Sequence, residues 1–550
     1  MCVLTTGGGH EGDGDQHIVA TISQDQGKTW SEPIDIEPSG PPEASWVTPM
    51  IVPSGRVYAF YTYNSENLRE IIADTEYARR RVDTLGDFAF KYSDDHGRTW
   101  SKERYIIPVR AFDIDNANPY QGRVRFFWSV SKPMVHKDSV YIGLSKVGGF
   151  GGGFMKTSEG AFVRSDNMLY ETNASAIRWE TLPEGTVGLR SPAGPIADEH
   201  NLVSLRDGSL YCTYRTVEGH NCHAYSRDDG RTWTPPEYAV YSPGGRRIKH
   251  PRAANFVRKF SNEKYLLWFH NHGRNLADNP SAAYEGRNPV WLAGGVEKDG
   301  YIHWSQPEIL LYGDEPSERM SYPDFIETEG RYFVTETQKT IARVHEIDPT
   351  LLQGLWSQAE LNTTSRAGLV LELGEEQCQA GEVRAALPAW PELKQNGGFS
   401  LEFWLRFDKL VIGQSLFDTR NEAGVGVFVH TTDRETVKIS LCDGRTESSW
   451  ESDKGRLAPN QLHHLVITVD EGAKIITFLI DGVLCDGGTE RDYGFGRFSR
   501  DLRSVNGAPV AAIGSSLAGK LYSFRVYNRY LRTSESVGNY QAGYSGADTV

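Results

Sequence analysis

The sequence predicts an all-β protein, a propeller over residues 1–347 followed by a β-sandwich over residues 368–550, with residues 348–367 as linker. Three observations predict this. The eight-residue pattern S-x-D-x-G-x-T-W occurs three times, at residues 23–30 (SQDQGKTW), 93–100 (SDDHGRTW) and 226–233 (SRDDGRTW). A second repeat, a polar residue followed by an apolar pair, recurs through the same region. Beyond residue 368 apolar and polar residues alternate as they do in half-buried strands.

Each copy of the eight-residue pattern needs a tight turn. Its Asp accepts backbone N–H bonds, its Gly takes a conformation other residues avoid, and its Trp covers the turn with apolar area. Weaker echoes run from Ser165-Asp166 to Trp179 and from Gly294 through Asp299-Gly300 to Trp304. Strand-flanked repeats at spacings of several tens of residues point to propeller blades. Inner strands are expected to start at residues 46–52, 131–135, 199–203, 250–257 and 321–326, each followed by a second strand at 56–63, 140–146, 210–216, 265–270 and 332–337. Five units are countable. The first turn pattern has no two strands before it, so residues 17–36 are expected to complete the unit opened by Tyr322.

Composition narrows the function. A length of 550 residues suits two cores, and a net charge of −14 argues against a nucleic-acid or membrane partner. Thirteen Trp and 26 Tyr suit clefts that stack on sugar rings. Residues 1–14 lack the layout of a secretory signal, so the chain as written is expected to be cytoplasmic, or secreted or periplasmic if a signal precedes it. Six Cys do not make a disulfide scaffold; Cys212 and Cys222, and Cys442 and Cys485, are the pairs that could meet, with free thiols expected in a reducing compartment.

In a four-stranded antiparallel blade the start of strand one and the connection from strand two to three share a face, opposite the turn from three to four. That rule gathers Lys132, Glu199, His200, Arg252 and Tyr322 from strand starts with Asp83, His220, His270, His272 and Arg287 from the connecting loops. Cations crowded beside carboxylates and a Tyr point to an acidic oligosaccharide or polysaccharide, because a guanidinium matches a carboxylate at two points. No cofactor is expected. Residues 7–17 (GGGHEGDGDQH) offer oxygen and imidazole ligands for a structural divalent cation such as calcium, but their spacing fits no defined metal loop and a solvated Gly-rich loop is the simpler reading. Residues 148–154 are expected to form a mobile aromatic flap over the pocket.

The repeated turn resembles the Asp box of the sialidase superfamily, which implies a six-bladed propeller. The segment from Glu199 to Arg215 is similar to the blade in which a Glu activates a Tyr nucleophile and an Arg grips the substrate carboxylate; the segment Ser321-Tyr322-Pro323-Asp324 resembles the blade supplying that Tyr. Arg287 falls where the family carries another carboxylate-binding Arg, and Asp83 where it keeps its acid. The resemblance implies an exo-acting glycoside hydrolase with Tyr322 and Glu199 as nucleophile pair. The chain departs from the family at Val47-Thr48-Pro49, where an Arg-Ile-Pro motif would supply the first carboxylate-gripping Arg. Lys132, before Pro133, stands at the analogous place one blade on, but a Lys does not reproduce the guanidinium fork. Two alternatives stay open. One is a polysaccharide lyase that cleaves a uronate-containing glycan by β-elimination, using His200, His220, His270, His272 or Tyr322 with Arg215 and Arg252. The other is a glycan-binding propeller without turnover.

Past residue 347 a short helix is expected near residues 351–360. Strands are expected at 399–407, 425–431, 437–442, 463–470, 474–481 and 521–527. The stretch FSLEFWLRF, the strand HHLVITVD and the Ile-Asp-Gly hairpin make this region resemble a laminin-G-like, concanavalin-type jelly roll.

Overall fold

The computed structural model describes all residues except 9, 10, 13, 153, 275–284, 379–382, 392, 394–396 and 545–550. Among the described residues, the first 346 form six antiparallel sheets arranged in chain order. The first sheet holds strands Cys2–Thr6, His17–Thr21 and Ile34–Asp35; the second runs from Ala44–Ile51 to Tyr105–Ile107. The third is built on the long hairpin Ser139–Gly151 and Phe154–Ser165. The fourth opens with Asp198–Ser204, the fifth with Phe256–Lys259 and the sixth with Ser321–Thr328.

The N-terminal segment does not complete the unit opened by Tyr322. Residues His17–Thr21 pair with Cys2–Thr6, while Ser321–Thr328 is followed by its own strands Arg331–Thr337 and Ala342–Glu346. The ring closes side by side, with Arg331 Nη1 donating to Gln26 Oε1 at 2.8 Å. The sixth blade therefore lies at the N-terminus. Between the second and third sheets the chain makes a short helix, Asp113–Asn116.

The repeated turns fold as their composition demands. In the third copy Asp228 Oδ1 accepts from Thr232 N at 2.9 Å, Oδ2 accepts from Thr232 Oγ1 at 2.7 Å, Gly230 N donates to Ser226 Oγ at 2.9 Å, and Trp233 Nε1 donates to Gly230 O at 3.1 Å. The copy at 23–30 repeats all four bonds. The left-handed Gly230, φ 87°, is the residue without which the turn would be strained.

Helix Pro349–Trp356, capped by Asp348, leads into a two-sheet sandwich. Its seven-stranded sheet includes Gly398–Phe407, Leu462–Asp470, Ile475–Ile480 and Gly519–Tyr527; its six-stranded sheet includes Ser415–Asp418, Gly426–Thr431 and Val437–Cys442. Leu465, Ile467, Val469, Ile476 and Phe478 face the sandwich core, while their neighbours Val466, Ile475 and Leu479 share a second core with Val203, Tyr211, Leu267 and Trp291 of the propeller. The seven-stranded sheet is thus covered on both faces, and Ile475–Ile480 reads IITFLI with every residue buried in place of a half-buried alternation.

Polar contacts lock the same interface. Lys249 Nζ donates to three carbonyls of the sandwich, Asp486 O at 2.7 Å, Gly488 O at 2.6 Å and Arg491 O at 2.9 Å. Glu308 accepts from Thr533 N at 3.0 Å and Ser534 N at 2.8 Å. Replacing Lys249 by Met orphans three carbonyls and is expected to destabilise the protein by about 3 kcal/mol, read as a lowered urea midpoint. All six cysteines are free thiols. No helix is long and apolar enough to cross a membrane among the described residues.

Candidate active site

Three inner strands carry the same irregularity. Pairing skips two residues after Ser45, after Asp198 and after Ser321, and the first skipped residue in each case, Trp46, Glu199 or Tyr322, sits in the left-handed region at φ 63°, 56° and 51°. For a non-glycine residue that conformation costs on the order of 1–3 kcal/mol, and such bulges re-aim side chains beside functional sites. Three matching bulges on three strand starts are the local reason these side chains leave the ordinary in-out alternation.

Two of the three meet. Tyr322 Oη donates to Glu199 Oε1 at 2.9 Å. Arg215, at the end of the partner strand, places Nη1 2.8 Å from the same Glu199 oxygen and gives Nε to Asp198 Oδ1 at 2.5 Å and Nη2 to Asp198 Oδ2 at 3.2 Å. Arg252 Nη2 lies 3.5 Å from Asp198 Oδ2. Arg287 Nη1 donates to Ser321 Oγ at 2.7 Å and Nη2 to Arg252 O at 3.3 Å. Tyr322, Glu199 and Arg252 from strand starts therefore converge with Arg215 and Arg287.

Burial governs the electrostatics. It pushes the Glu199 carboxyl above its ordinary range; Arg215 opposes that shift and the Asp198 charge adds to it. Burial, reinforced by the Glu199 charge, pushes the Tyr322 phenol up. Burial alone would raise Asp198 too, yet Arg215 and Arg252 together hold it below the usual carboxylate range. Glu199 Oε2 is buried and without a hydrogen-bond partner. A carboxylate with one oxygen on a phenol and the other unspent is set to take that proton.

Other expectations are corrected. His200 is sandwiched between blades, stacked on Tyr214 at 4.5 Å and lying against Gly160, where a Cβ would come within 2.2 Å of its Nε2. Burial pushes it down to about 3. His270 is sealed under its blade with Nδ1 3.2 Å from Pro289 O, and His272 is stacked on Tyr493 of the sandwich at 4.4 Å with Nε2 2.7 Å from Gly286 O. His220 Nδ1 lies 3.0 Å from Ile248 O. The imidazoles needed as bases for elimination are thus spent in packing, and His200, His270 and His272 are buried outright. Lys132 does not stand in for the missing Arg; its Nζ is 3.2 Å from Asp324 Oδ2. Both oxygens of Asp83 accept from Arg81, at 2.9 and 2.8 Å, so Asp83 reaches a leaving group only once that pair opens. The expected flap is packed: Phe150 and Phe154 are buried in one apolar cluster, with Gly153 outside the described residues.

Sequence reasoning missed Asp198, Trp46 and Trp128. Trp46 is half-buried, stacks on Trp128 at 4.5 Å and 18°, and donates Nε1 to Asp83 O at 2.9 Å. The available signal was positional, since Trp46 precedes its apolar pair as Glu199 and Tyr322 open theirs. Among the described residues no three His, Cys, Asp or Glu side chains gather as metal ligands do; His10 and Asp13 of the Gly-rich N-terminal loop lie outside the described residues.

Residues 1–334 match the model of the BNR repeat-like domain, and residues 380–536 that of the concanavalin A-like lectin/glucanases superfamily. No curated protein matches. Among solved structures the chain is similar to Trypanosoma rangeli sialidase, at 13% identity and TM-score 0.40 over 96% of this chain and 89% of that one. It is also similar to the Ruminococcus gnavus intramolecular trans-sialidase, at 14% identity and TM-score 0.39 over 62% and 90%. A protein of unknown function from Dyadobacter fermentans aligns at 14% identity and TM-score 0.41 over 62% and 87%. With its turn repeats, its six sheets and a family match over most of its length, the chain belongs to the BNR repeat-like domain family, its propeller fused to a concanavalin-like sandwich.

Proposed function

We propose that the protein is an exo-acting, retaining glycoside hydrolase that removes a terminal sugar from an oligosaccharide or polysaccharide. The observation that carries this reading is the 2.9 Å bond from Tyr322 Oη to Glu199 Oε1 in a buried, Arg-lined site. A neutral phenol is a weak nucleophile. With Glu199 accepting its proton, the Tyr322 oxygen bonds the anomeric carbon as the bond to the leaving oxygen breaks. Water, giving a proton to the Asp83 carboxylate, then attacks that carbon as the bond to Tyr322 breaks, and the phenolate takes its proton back from Glu199. Asp83 is the carboxyl we place at the leaving oxygen, released from Arg81 when substrate enters.

This dictates the first substrates. A leaving group that needs no proton bypasses Asp83, so aryl glycosides and activated 2-fluoro glycosyl fluorides are the probes of choice. The expected result is a covalent glycosyl adduct on the peptide containing Tyr322, detected by mass spectrometry and absent from Tyr322→Phe. Turnover with the adduct on another residue, or a product absorbing in the ultraviolet without hydrolysis, overturns the assignment.

A further inference from the structure

In the second blade an aromatic residue, Trp46, stands next to Val47, the position at which the family motif would carry a cation. Trp46 occupies in the second blade the bulge position that Glu199 and Tyr322 occupy in the fourth and sixth. Its indole is fixed by the stack on Trp128, by Nε1 on Asp83 O, and by its own backbone N–H, which donates to Thr5 Oγ1 at 2.9 Å. Trp128 carries the contact onward, to Phe154 at 5.2 Å and to the Arg215 guanidinium, 5.7 Å from its ring and the same group that touches Glu199. Trp46 is thus rigid, half-open, and joined through Trp128 and Arg215 to the Tyr322–Glu199 pair.

Four of the five cations around that pair face protein carboxylates. Arg215 is committed to Asp198 and Glu199, Arg252 faces Asp198, Lys132 faces Asp324 and Arg81 faces Asp83, while Arg287 is bonded to Ser321 Oγ and the Arg252 carbonyl. A carboxylated sugar reaching Arg215 or Arg252 would have to displace Asp198 or Glu199 from buried ion pairs. A flat indole offers the opposite chemistry, a large, preorganised apolar surface for the C–H face of a sugar ring.

We propose that the terminal sugar taken by this site is an uncharged pyranose, stacked through its apolar face on Trp46. The proposal rests on the reading of Tyr322 and Glu199 as the reacting pair, and it deepens that reading from a reaction to a substrate class.

The test is equilibrium binding to the full chain carrying Tyr322→Phe, which separates recognition from turnover. Titration calorimetry compares methyl glycosides of uncharged hexoses, deoxyhexoses and N-acetylhexosamines with the methyl glycosides of glucuronic and N-acetylneuraminic acids. At least one uncharged glycoside is expected to bind about tenfold or more tighter than either acid, with little dependence on salt. Trp46→Ala is expected to weaken that binding about tenfold, and Trp46→Phe, which keeps a stacking face, by no more than about threefold. Tighter binding of an acid, uncharged binding that survives Trp46→Ala, or no binding of any uncharged glycoside overturns the proposal. Failure of the hydrolase reading looks different, since it leaves this binding pattern intact and removes the Tyr322 adduct.

Discussion

Tyr322→Phe is expected to lower kcat by about 10⁴-fold or more while leaving the fold and the affinity for substrate close to those of the parent. The substitution keeps the ring and deletes one oxygen, the atom bonded to Glu199. Glu199→Gln is expected to cost about 10²–10⁴-fold, because the amide preserves shape and loses the basicity. The double variant should be little worse than Tyr322→Phe alone, as befits two groups acting in one step. A pH profile tells this role from a structural one. Glu199 must be ionised to accept the proton, and burial places its titration above the ordinary carboxylate range. Activity should therefore rise with pH on a limb displaced upward from the usual Glu value of about 4.3, and that limb should vanish in Glu199→Gln. Comparable activity in Tyr322→Phe would end the hydrolase mechanism as drawn.

Asp198→Ala should produce the largest loss of stability. Asp198 is fully buried and faces Arg215 at two points and Arg252 at 3.5 Å. Removing one partner of a buried ion pair leaves charge without compensation, at a cost of about 3–5 kcal/mol, a large share of the roughly 5–15 kcal/mol that holds a folded domain together. The pH dependence has a definite sign. The folded carboxyl is held below its unfolded value, so its contribution is complete above the unfolded pKa of about 3.9 and is lost as pH falls through the lower folded value. In urea titrations the gap between parent and variant should be full at pH 7 and begin to close only below about pH 4. Asp198→Asn, which keeps an acceptor but not the charge, should fall between them. A gap of less than about 1 kcal/mol at pH 7 would show that Glu199 suffices to hold Arg215.

How much of this was legible in the sequence depends on which physical signal each feature leaves. The turn repeat was legible because Asp, Gly and Trp each do a distinct local job at fixed spacing. The second strands were legible because Val57–Tyr63 and Leu210–Arg215 are rich in β-branched and aromatic residues. Tyr322 and Glu199 were found through strand starts, although 123 positions separate them in the chain. The bulges were not readable, since a left-handed Trp, Glu or Tyr has no sequence mark as glycine has. Without the bulge, Asp198 and Glu199 would face opposite ways, which is why Asp198 went unnoticed. The histidines misled for a related reason: imidazole is polar in composition, yet His200, His270 and His272 are used here as flat packing groups. The first sheet was missed because Cys2–Thr6 is a five-residue strand with no turn pattern before it.

The way the two domains are joined bears on how this architecture can be taken apart. The sandwich lends part of one face of its larger sheet to the propeller, and Lys249 is three residues from Arg252 of the site. A carbohydrate-binding module tethered by a flexible linker can be cut off, swapped or duplicated with its enzyme unharmed. Here a cut after residue 347 would bare Leu267 and Trp291 on one side and Val466 and Leu479 on the other, turning the inside of a protein into two sticky surfaces. The two domains are therefore expected to fold and to be engineered as one piece, and the sandwich serves the propeller as a foundation serves a wall.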